Sequence, residues 1–350
     1  MKIYQIDPAR DMRWAKFVGT HPKASVFHTF GWLKALQLTY GYQPVVFTTS
    51  SPADELSNGL AFCRVNSWLT GNRLVSLPFS DHCEPLFDVV ENANFLIGAL
   101  HDSMEAMGCK YVEIRSVEVD FRLLEEGRRL TPVATHFFHS LDLRPDLDEL
   151  FLTLDRDSVQ RRIQRAQRAS LIEKCGNSND LLRDFYRLFA LTRRRHQLPP
   201  APYAWFLNLR DSQGEGLEIR LAYKDGAPIA AVLTLRFREV AYYKYGCSDA
   251  RFNKFGAMPW LLWHAVSAAK LNGARHFDLG RTEADNAGLL TFKNHWVRSP
   301  KQLVHWGFYE GPSSLHSADN WRLKMAKRVF SHLPIPLLTA TGKLLYRHFG

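Results

Sequence analysis

The stretch His276–Trp296, HFDLGRTEADNAGLLTFKNHW, holds a single cation, Lys293, between Arg281 and Arg298. It sits between Phe292 and Asn294. A lone lysine on an aromatic-rich helix either snorkels at the surface or supplies a fixed point charge where negative charge develops in a reaction. Arginines make the second group of interest. Arg161, Arg165 and Arg168 follow an i, i+4, i+7 course and share one helix face. Arg193, Arg194 and Arg195 end the segment DLLRDFYRLFALTRRRH, which Pro199-Pro200 stops. The tail from Trp321 to Gly350 carries Arg322, Lys324, Lys327, Arg328, Lys343 and Arg347 and no acid. Such clusters are solvated helix faces or anion sites.

Other polar residues rank lower. Tyr243 and Tyr245 alternate on a strand and so share one face, where they either line a cleft or pack in the core. Asp278 ends a buried strand beside Gly280-Arg281, as a base or as a partner of Arg281. His136 and His139 fall on opposite faces of a strand and make a poor metal pair. His82-Cys83-Glu84 sits in a turn with no further ligand set, so no metal site is expected. No P-loop, Rossmann glycine pattern or nucleophile elbow occurs.

The elements that must position these residues follow from periodicity and turn chemistry. In the first half, Ser25–Tyr40 and Ala93–Met107 read as helices, and QPVVFTT, LSNGLAFCRV, NRLVSLPF and KYVEIRSV as strands. Thr135–Leu143 alternates as a strand, and Arg144-Pro145 marks a boundary. Helices at about 156–171, 180–195 and 203–211 then precede GLEIRLAYK, PIAAVLTLRFR and VAYYKYGCS. Asp225-Gly226 and Arg238-Glu239 separate those strands as hairpins. Met258–Asn272 is a helix, ARHFDLG a strand, 286–295 a helix and QLVHWGFY a strand. This order describes an α/β fold with a mixed sheet.

Composition frames the rest. The 350 residues fit two domains, and a mean hydropathy of −0.24 describes a folded, soluble chain. The N-terminus has no secretory pattern, and no window approaches the roughly 18 apolar residues of a membrane span. Five scattered cysteines without a CxxC suit a reduced, cytoplasmic protein. A net charge of +10 favours an anionic partner: nucleotide, RNA, pyrophosphate-bearing carrier or acidic membrane.

Four segments together carry a family resemblance: RRIQRAQRASL (Arg161–Leu171), LTRRRHQLPP (Leu191–Pro200), Tyr242–Thr282 and NAGLLTFKNHW (Asn286–Trp296). With FHTFGWLKAL (Phe27–Leu36), the resemblance spans nearly the whole chain. The sequence resembles the Gcn5-related N-acetyltransferases (GNAT). It looks more like the FemAB-type transferases and their BioF2-like acetyltransferase relatives, among them members that accompany exopolysaccharide or exosortase (PEP-CTERM) systems. The resemblance implies tandem GNAT-like domains, 1–145 and 146–312, with a basic helical tail, 313–350, packing back on the first. It implies acyl or aminoacyl transfer from an activated carrier to an amine on a cell-envelope or polysaccharide precursor. The pair Phe292-Lys293 matches the family's Phe-Lys pair, in which Lys stabilises the oxyanion and Phe positions the donor. Arg195, in Thr192–Arg195, matches an arginine that holds the acceptor's phosphates. By their own charge and position Arg165 and Arg281 are further candidate anion ligands, and Tyr243 and Tyr245 candidate substrate contacts. A first-domain lysine of that group follows a Trp by about four residues. Here Leu36 stands at that spacing from Trp32, and Lys34 is displaced by two. Gly256 and Ala257, in Asn253–Met258, stand where acetyltransferases of this fold cradle the coenzyme A pyrophosphate at a helix start. Acyl-CoA and aminoacyl-tRNA are both open as co-substrate, and no tightly bound cofactor is expected. Partners are then an anionic carrier-linked substrate, tRNA, and anionic membrane touched peripherally through 321–350 at its cytoplasmic face. The alternative is a non-catalytic anion- or RNA-binding module that retains the fold.

Overall fold

The computed structural model describes residues 2–87, 90–123, 130–309 and 328–348. Of the basic tail, Arg322, Lys324 and Lys327 lie outside the described residues, while Arg328, Lys343 and Arg347 lie within them. The chain divides into two compact units. The first holds Met1–His136, Gln302–Ala318 and Leu345–Gly350, and the second holds Phe137–Lys301 and Asp319–Leu344. The linear expectation of 1–145, 146–312 and a tail thus meets units that the chain leaves and re-enters.

In chain order the elements of the first half are β1 (Tyr4–Ile6), α1 (Met12–Thr20), α2 (Phe30–Tyr40), β2 (Gln43–Thr48), β3 (Leu60–Val65) and β4 (Arg73–Val75). Then come α3 (Val90–Met107), β5 (Tyr111–Ser116) and β6 (Thr131–Asp142). The second half begins with α4 (Leu147–Thr153), α5 (Arg161–Arg168), β7 (Ile172–Gly176), α6 (Asn179–Arg195) and α7 (Tyr203–Gln213). It continues with β8 (Leu217–Lys224), β9 (Ala227–Phe237), β10 (Val240–Ser248), α8 (Ala257–Leu271), β11 (His276–Glu283) and α9 (Ala287–Asn294). It closes with β12 (Lys301–Tyr309) and α10 (Ile335–Leu345).

In the first unit the strands run β1-β2-β3-β4-β5-β12. β4 is parallel to β5, and β12 returns antiparallel beside β5, pairing Trp306 with Ile114. That pairing is why the chain re-enters this unit after residue 301. α3 lays Leu96, Ile97, Leu100 and Met104 on Phe47, Phe62, Leu74, Val112 and Trp306. The last described residues belong here as well: Tyr42 donates from its hydroxyl to the Arg347 carbonyl at 3.0 Å.

In the second unit β6, from Phe137 on, is followed by β11-β10-β9-β8-β7. β7 to β10 form an antiparallel meander, and β10 is parallel to β11. One face of the sheet carries α5 and α8, with Ile163, Ala166, Leu261, Leu262 and Val266 packed against Ala230, Val232 and Phe277. On the other face Phe185 and Phe189 of α6 and Phe206 of α7 surround Tyr245. The short turns are legible in the residues that adopt positive φ, Asp225 at 50° and Arg238 at 53°.

The meander departs from regular alternation at one point. Tyr243 pairs with Thr234 and Tyr245 with Leu233, so Lys244 is an extra residue in β10. A bulge of this kind flips every side chain beyond it to the opposite face. Tyr243 packs into the α5/α8 core, whereas Tyr245 accepts a hydrogen bond from Trp205 Nε1 at 2.9 Å on the α6/α7 side. The two tyrosines therefore do not share a face, and the expectation that they do is corrected by the bulge.

No disulfide joins the five cysteines. Among the described residues no helix is long and apolar enough to cross a membrane, and no group of His, Cys, Asp and Glu could hold a metal ion. In the His82-Cys83-Glu84 turn, Glu84 instead accepts from the Ser116 hydroxyl at 2.7 Å and from the Val117 amide, while Cys83 Sγ lies 3.3 Å from His28 Nε2.

Candidate active site

The site is built where β10 and β11 part. Their parallel ladder covers only Val240–Tyr242 against His276–Asp278. Beyond it, Tyr243–Ser248 and Leu279–Glu283 run on without pairing each other. Backbone carbonyls that leave a ladder need other donors. Two of them, on Gly280 and Arg281, accept from Lys293 Nζ at 3.1 and 2.7 Å. Lys293 is 3% exposed, which removes the snorkelling surface lysine from consideration. It reaches β11 from the last turn of α9, a helix whose start is capped by Asn286 accepting from the Leu289 amide at 3.2 Å.

Phe292, the preceding residue, faces a different way. It lines a cavity of about 310 Å³ together with Arg162, Ser248, Asn253, Gly256, Ala257, Met258, Thr291 and His295, among others. One wall of this cavity is the N-terminus of α8, whose first amides lack intrahelical partners and carry the positive end of the helix dipole. Gly256 closes the preceding turn Ala250–Phe255 in the left-handed region, φ 74°. A Cβ there would also stand 2.3 Å from the Arg162 carbonyl oxygen. Two separate constraints therefore demand glycine at the mouth of this helix. Arg165 lies on the rim of the same turn, donating to the Lys254 carbonyl at 3.3 Å.

A second cavity, about 450 Å³, is lined by Leu191, Arg194, Arg195, Ser248, Asp249, Ala250, Arg251 and Ser331. Its one acid, Asp249, is paired with Arg251 at 2.6 Å. That hydrogen bond holds the Asp249 carboxyl below the usual carboxylate range, so the cavity is net positive. Thr192 accepts from the Ser248 amide at 2.9 Å and donates to its carbonyl at 3.1 Å, and Arg195 Nη1 reaches the same carbonyl at 3.3 Å. The Thr-x-x-Arg spacing thus clips the end of α6 to the end of β10. Ser248 lines both cavities, so the two share a wall.

The structure brings Phe292, Gly256 and Ala257 to one cavity and puts Arg195 on the neighbouring one. Arg281 is half-buried on β11, with its carbonyl held by Lys293. Tyr243 and Tyr245 line neither cavity; burial raises the Tyr243 hydroxyl's pKa. Asp278 is buried and accepts from the Gly280 amide at 2.6 Å.

Sequence reasoning missed three residues here. Arg162 lies off the helix face that Arg161, Arg165 and Arg168 share, yet it lines the first cavity. Ser248 carries no signal in the sequence, because its contacts with Thr192 and Arg195 are made by its backbone amide and carbonyl. His139, half of a poor metal pair in the sequence, has a different place in the structure. It is fully buried on β6, its Nε2 is 2.9 Å from Asn294 Oδ1 in the turn that holds Lys293, and its pKa is lowered by burial first and also by the Lys293 charge. A histidine at an inward position of an alternating strand was the available clue.

Residues 155–294 match the family model of an acetyltransferase (GNAT) domain. Comparison with curated proteins gives no sequence match. Among solved structures the chain is similar to FemX, with 14% identity and a TM-score of 0.65 over 89% of this chain and 98% of that one. It is also similar to L-PGS from Bacillus licheniformis, with 13% identity and a TM-score of 0.56 over 94% and 99%. A tandem GNAT protein from the clavulanic acid biosynthesis pathway gives 12% identity and a TM-score of 0.53 over 89% and 99%. At such identities the likeness establishes the fold, which is α/β with GNAT-like mixed sheets.

Proposed function

With an acyltransferase domain of the GNAT type at residues 155–294 as the premise, we propose that the protein moves an acyl group from a coenzyme A thioester to an amine on an anionic, envelope-type precursor. The observation that carries this reading is the pair of adjoining cavities. One opens on a helix N-terminus closed by an obligatory glycine; the other is lined by three arginines; they meet at Ser248. The first suits a pyrophosphate-bearing donor, because free amides and the helix dipole favour phosphate. The second suits the phosphates of an acceptor, because guanidinium groups bind them bidentately. A FemX structure and an L-PGS structure share the fold; the envelope-class acceptor rests on the FemAB-type sequence resemblance. That resemblance also keeps aminoacyl-tRNA as the donor to be tested against acyl-CoA.

In this reading Phe292 packs along the donor beside the scissile thioester; Lys293 lines neither cavity and holds the Gly280 and Arg281 carbonyls, so its ammonium must turn from them to meet the carbonyl oxygen as it becomes an oxyanion. The amine nitrogen forms the new N–C bond, the C–S bond breaks, and coenzyme A leaves as its thiolate. The ammonium proton passes to that thiolate or to water. Arg195, with Arg194 and Arg251, holds the acceptor, and Arg162 and Arg165 flank the donor's phosphates.

Thiol release from a panel of acyl-CoA donors, with and without amine acceptors bearing phosphate, tests this. Release of thiol matched by N-acylated product is expected. Product formed from aminoacyl-tRNA and from no acyl-CoA would reject the donor assignment, and product from neither would reject acyl transfer.

A further inference from the structure

The first unit carries a tip that its chemistry fits to a lipid surface. Trp68 is 86% exposed and its neighbour Leu69 48% exposed, at the head of the β3–β4 turn. Isolated apolar residues at a surface are ordinary. This pair is unusual because an ordered turn holds it outward. The Ser67 hydroxyl accepts from the amides of Leu69 and Thr70 at 3.2 and 3.0 Å, and the Gly71 amide donates to the Ser67 carbonyl at 2.8 Å. The end of the chain braces the turn from below. Ser67 Oγ lies 3.0 Å from His348 Nδ1, and the His348 carbonyl accepts from Thr70 Oγ1 at 3.1 Å and from Arg73 Nη2 at 2.7 Å. The His348 ring meets the Trp68 indole edge-on at 5.3 Å. With the backbone so fixed, the indole is presented without further ordering cost on binding.

Cations flank it. Lys110 runs its stem over Gly71, where a Cβ would be 2.7 Å from Lys110 Cδ, and the residue as a whole is exposed. Arg347, next to His348, is exposed too. The three segments that meet here, 66–73, 108–111 and 345–348, contain no Asp or Glu. Tryptophan is the side chain that settles at the headgroup level of a bilayer, one face apolar and its N–H wet. Lys and Arg beside it are drawn to anionic lipid.

We propose that the Trp68 turn, with Lys110 and Arg347, is a docking tip for anionic phospholipid membranes, set by the packing of the chain's C-terminal residues beneath it. The inference is independent of which acyl group is transferred. Its charge complement is an anionic surface, and its apolar part is of a size to enter the headgroup layer reversibly and not to span it.

The test is co-sedimentation of the full-length protein with phosphatidylcholine vesicles that contain or lack phosphatidylglycerol, at low and high salt. Wild type is expected to partition to the anionic vesicles only, with its tryptophan emission quenched by brominated acyl chains. Trp68→Ala is expected to weaken partition about tenfold, and the charge reversals Lys110→Glu and Arg347→Glu at least fivefold each. Trp68→Phe should bind and lose the bromolipid quenching. Melting temperatures of Trp68→Ala and Trp68→Phe should match wild type, since the indole is exposed. Equal partition of Trp68→Ala and wild type, equal binding to neutral and anionic vesicles, or quenching unchanged in Trp68→Phe would each overturn the proposal. So would a wild type that ignores anionic vesicles, and Trp68 would then belong to a protein interface.

Discussion

Lys293 does two things that a mutation would separate. Its ammonium satisfies the Gly280 and Arg281 carbonyls at the point where β11 leaves its parallel partner, and it places a buried charge one residue from the Phe292 cavity. Lys293→Met keeps the volume but leaves two carbonyls without that donor. The loss should cost about 1–3 kcal/mol of stability, visible as a lowered urea midpoint. If the charge also faces a developing oxyanion, turnover per folded molecule should fall roughly 100- to 1000-fold with KM much less affected. A variant that melts early yet turns over normally would leave Lys293 a purely structural donor. This residue is conspicuous in the sequence as the lone Lys or Arg between Arg281 and Arg298. What the sequence hid was its burial, because a Lys on a short amphipathic helix is compatible with either face until the packing of β11 is known.

At the scale of elements, legibility followed the range of the interaction. The β8–β10 meander could be read from Asp225-Gly226 and Arg238-Glu239, because a tight turn is decided by two adjacent residues. The bulge at Lys244 could not, since it depends on how β10 registers against β9, and with it the faces of Tyr243 and Tyr245 were misassigned. The Gly256 turn lies between these cases: the glycine was visible, whereas its second constraint, the approach of the Arg162 carbonyl, comes from another helix. The loop that carries His28 in the first unit shows a further long-range effect. His28 is fully buried, takes the Ser25 amide on Nδ1 at 3.1 Å, and is lowered to about 3, chiefly by desolvation. In the unfolded chain it titrates near its ordinary value of 6.5. Between those values the unfolded state binds more protons, so this contribution is complete above pH 6.5 and is lost as pH falls toward 3. His139, His196 and His348, all lowered by burial, act with the same sign. Glu84, raised by burial, acts with the opposite sign above its ordinary value, so comparison with a variant isolates His28. The stability gap between wild type and His28→Gln, measured by urea unfolding, should narrow as pH is lowered from 7 to 4.5. Gaps that stay constant with pH would show that His28 does not change protonation on unfolding.

For the whole molecule the dominant fact is charge: 45 Lys and Arg against 35 Asp and Glu give +10. The excess read from the sequence as attraction to an anion without saying where. In the second unit it converges on the wall between two cavities, with Arg162 on one side and Arg194, Arg195 and Arg251 on the other. A molecule so charged binds any polyanion to some extent, so affinity alone will not distinguish a small phosphorylated carrier from a nucleic acid. Salt dependence will. A protein that neutralises six or more phosphates of a nucleic acid loses roughly a thousandfold in affinity between about 50 and 200 mM salt through counterion release. A coenzyme A donor has no condensed counterion atmosphere and, in the proposed reading, meets a few short contacts in the first cavity. Its interactions are screened only beyond a Debye length of about 10 Å. The acyl-CoA reading therefore predicts that the donor KM rises by less than about tenfold over that range, and that Arg195→Ala raises the acceptor KM while leaving the donor KM nearly unchanged. Donor KM values measured across the salt series decide it. A thousandfold loss would place the donor on an extended phosphate chain and make aminoacyl-tRNA the carrier.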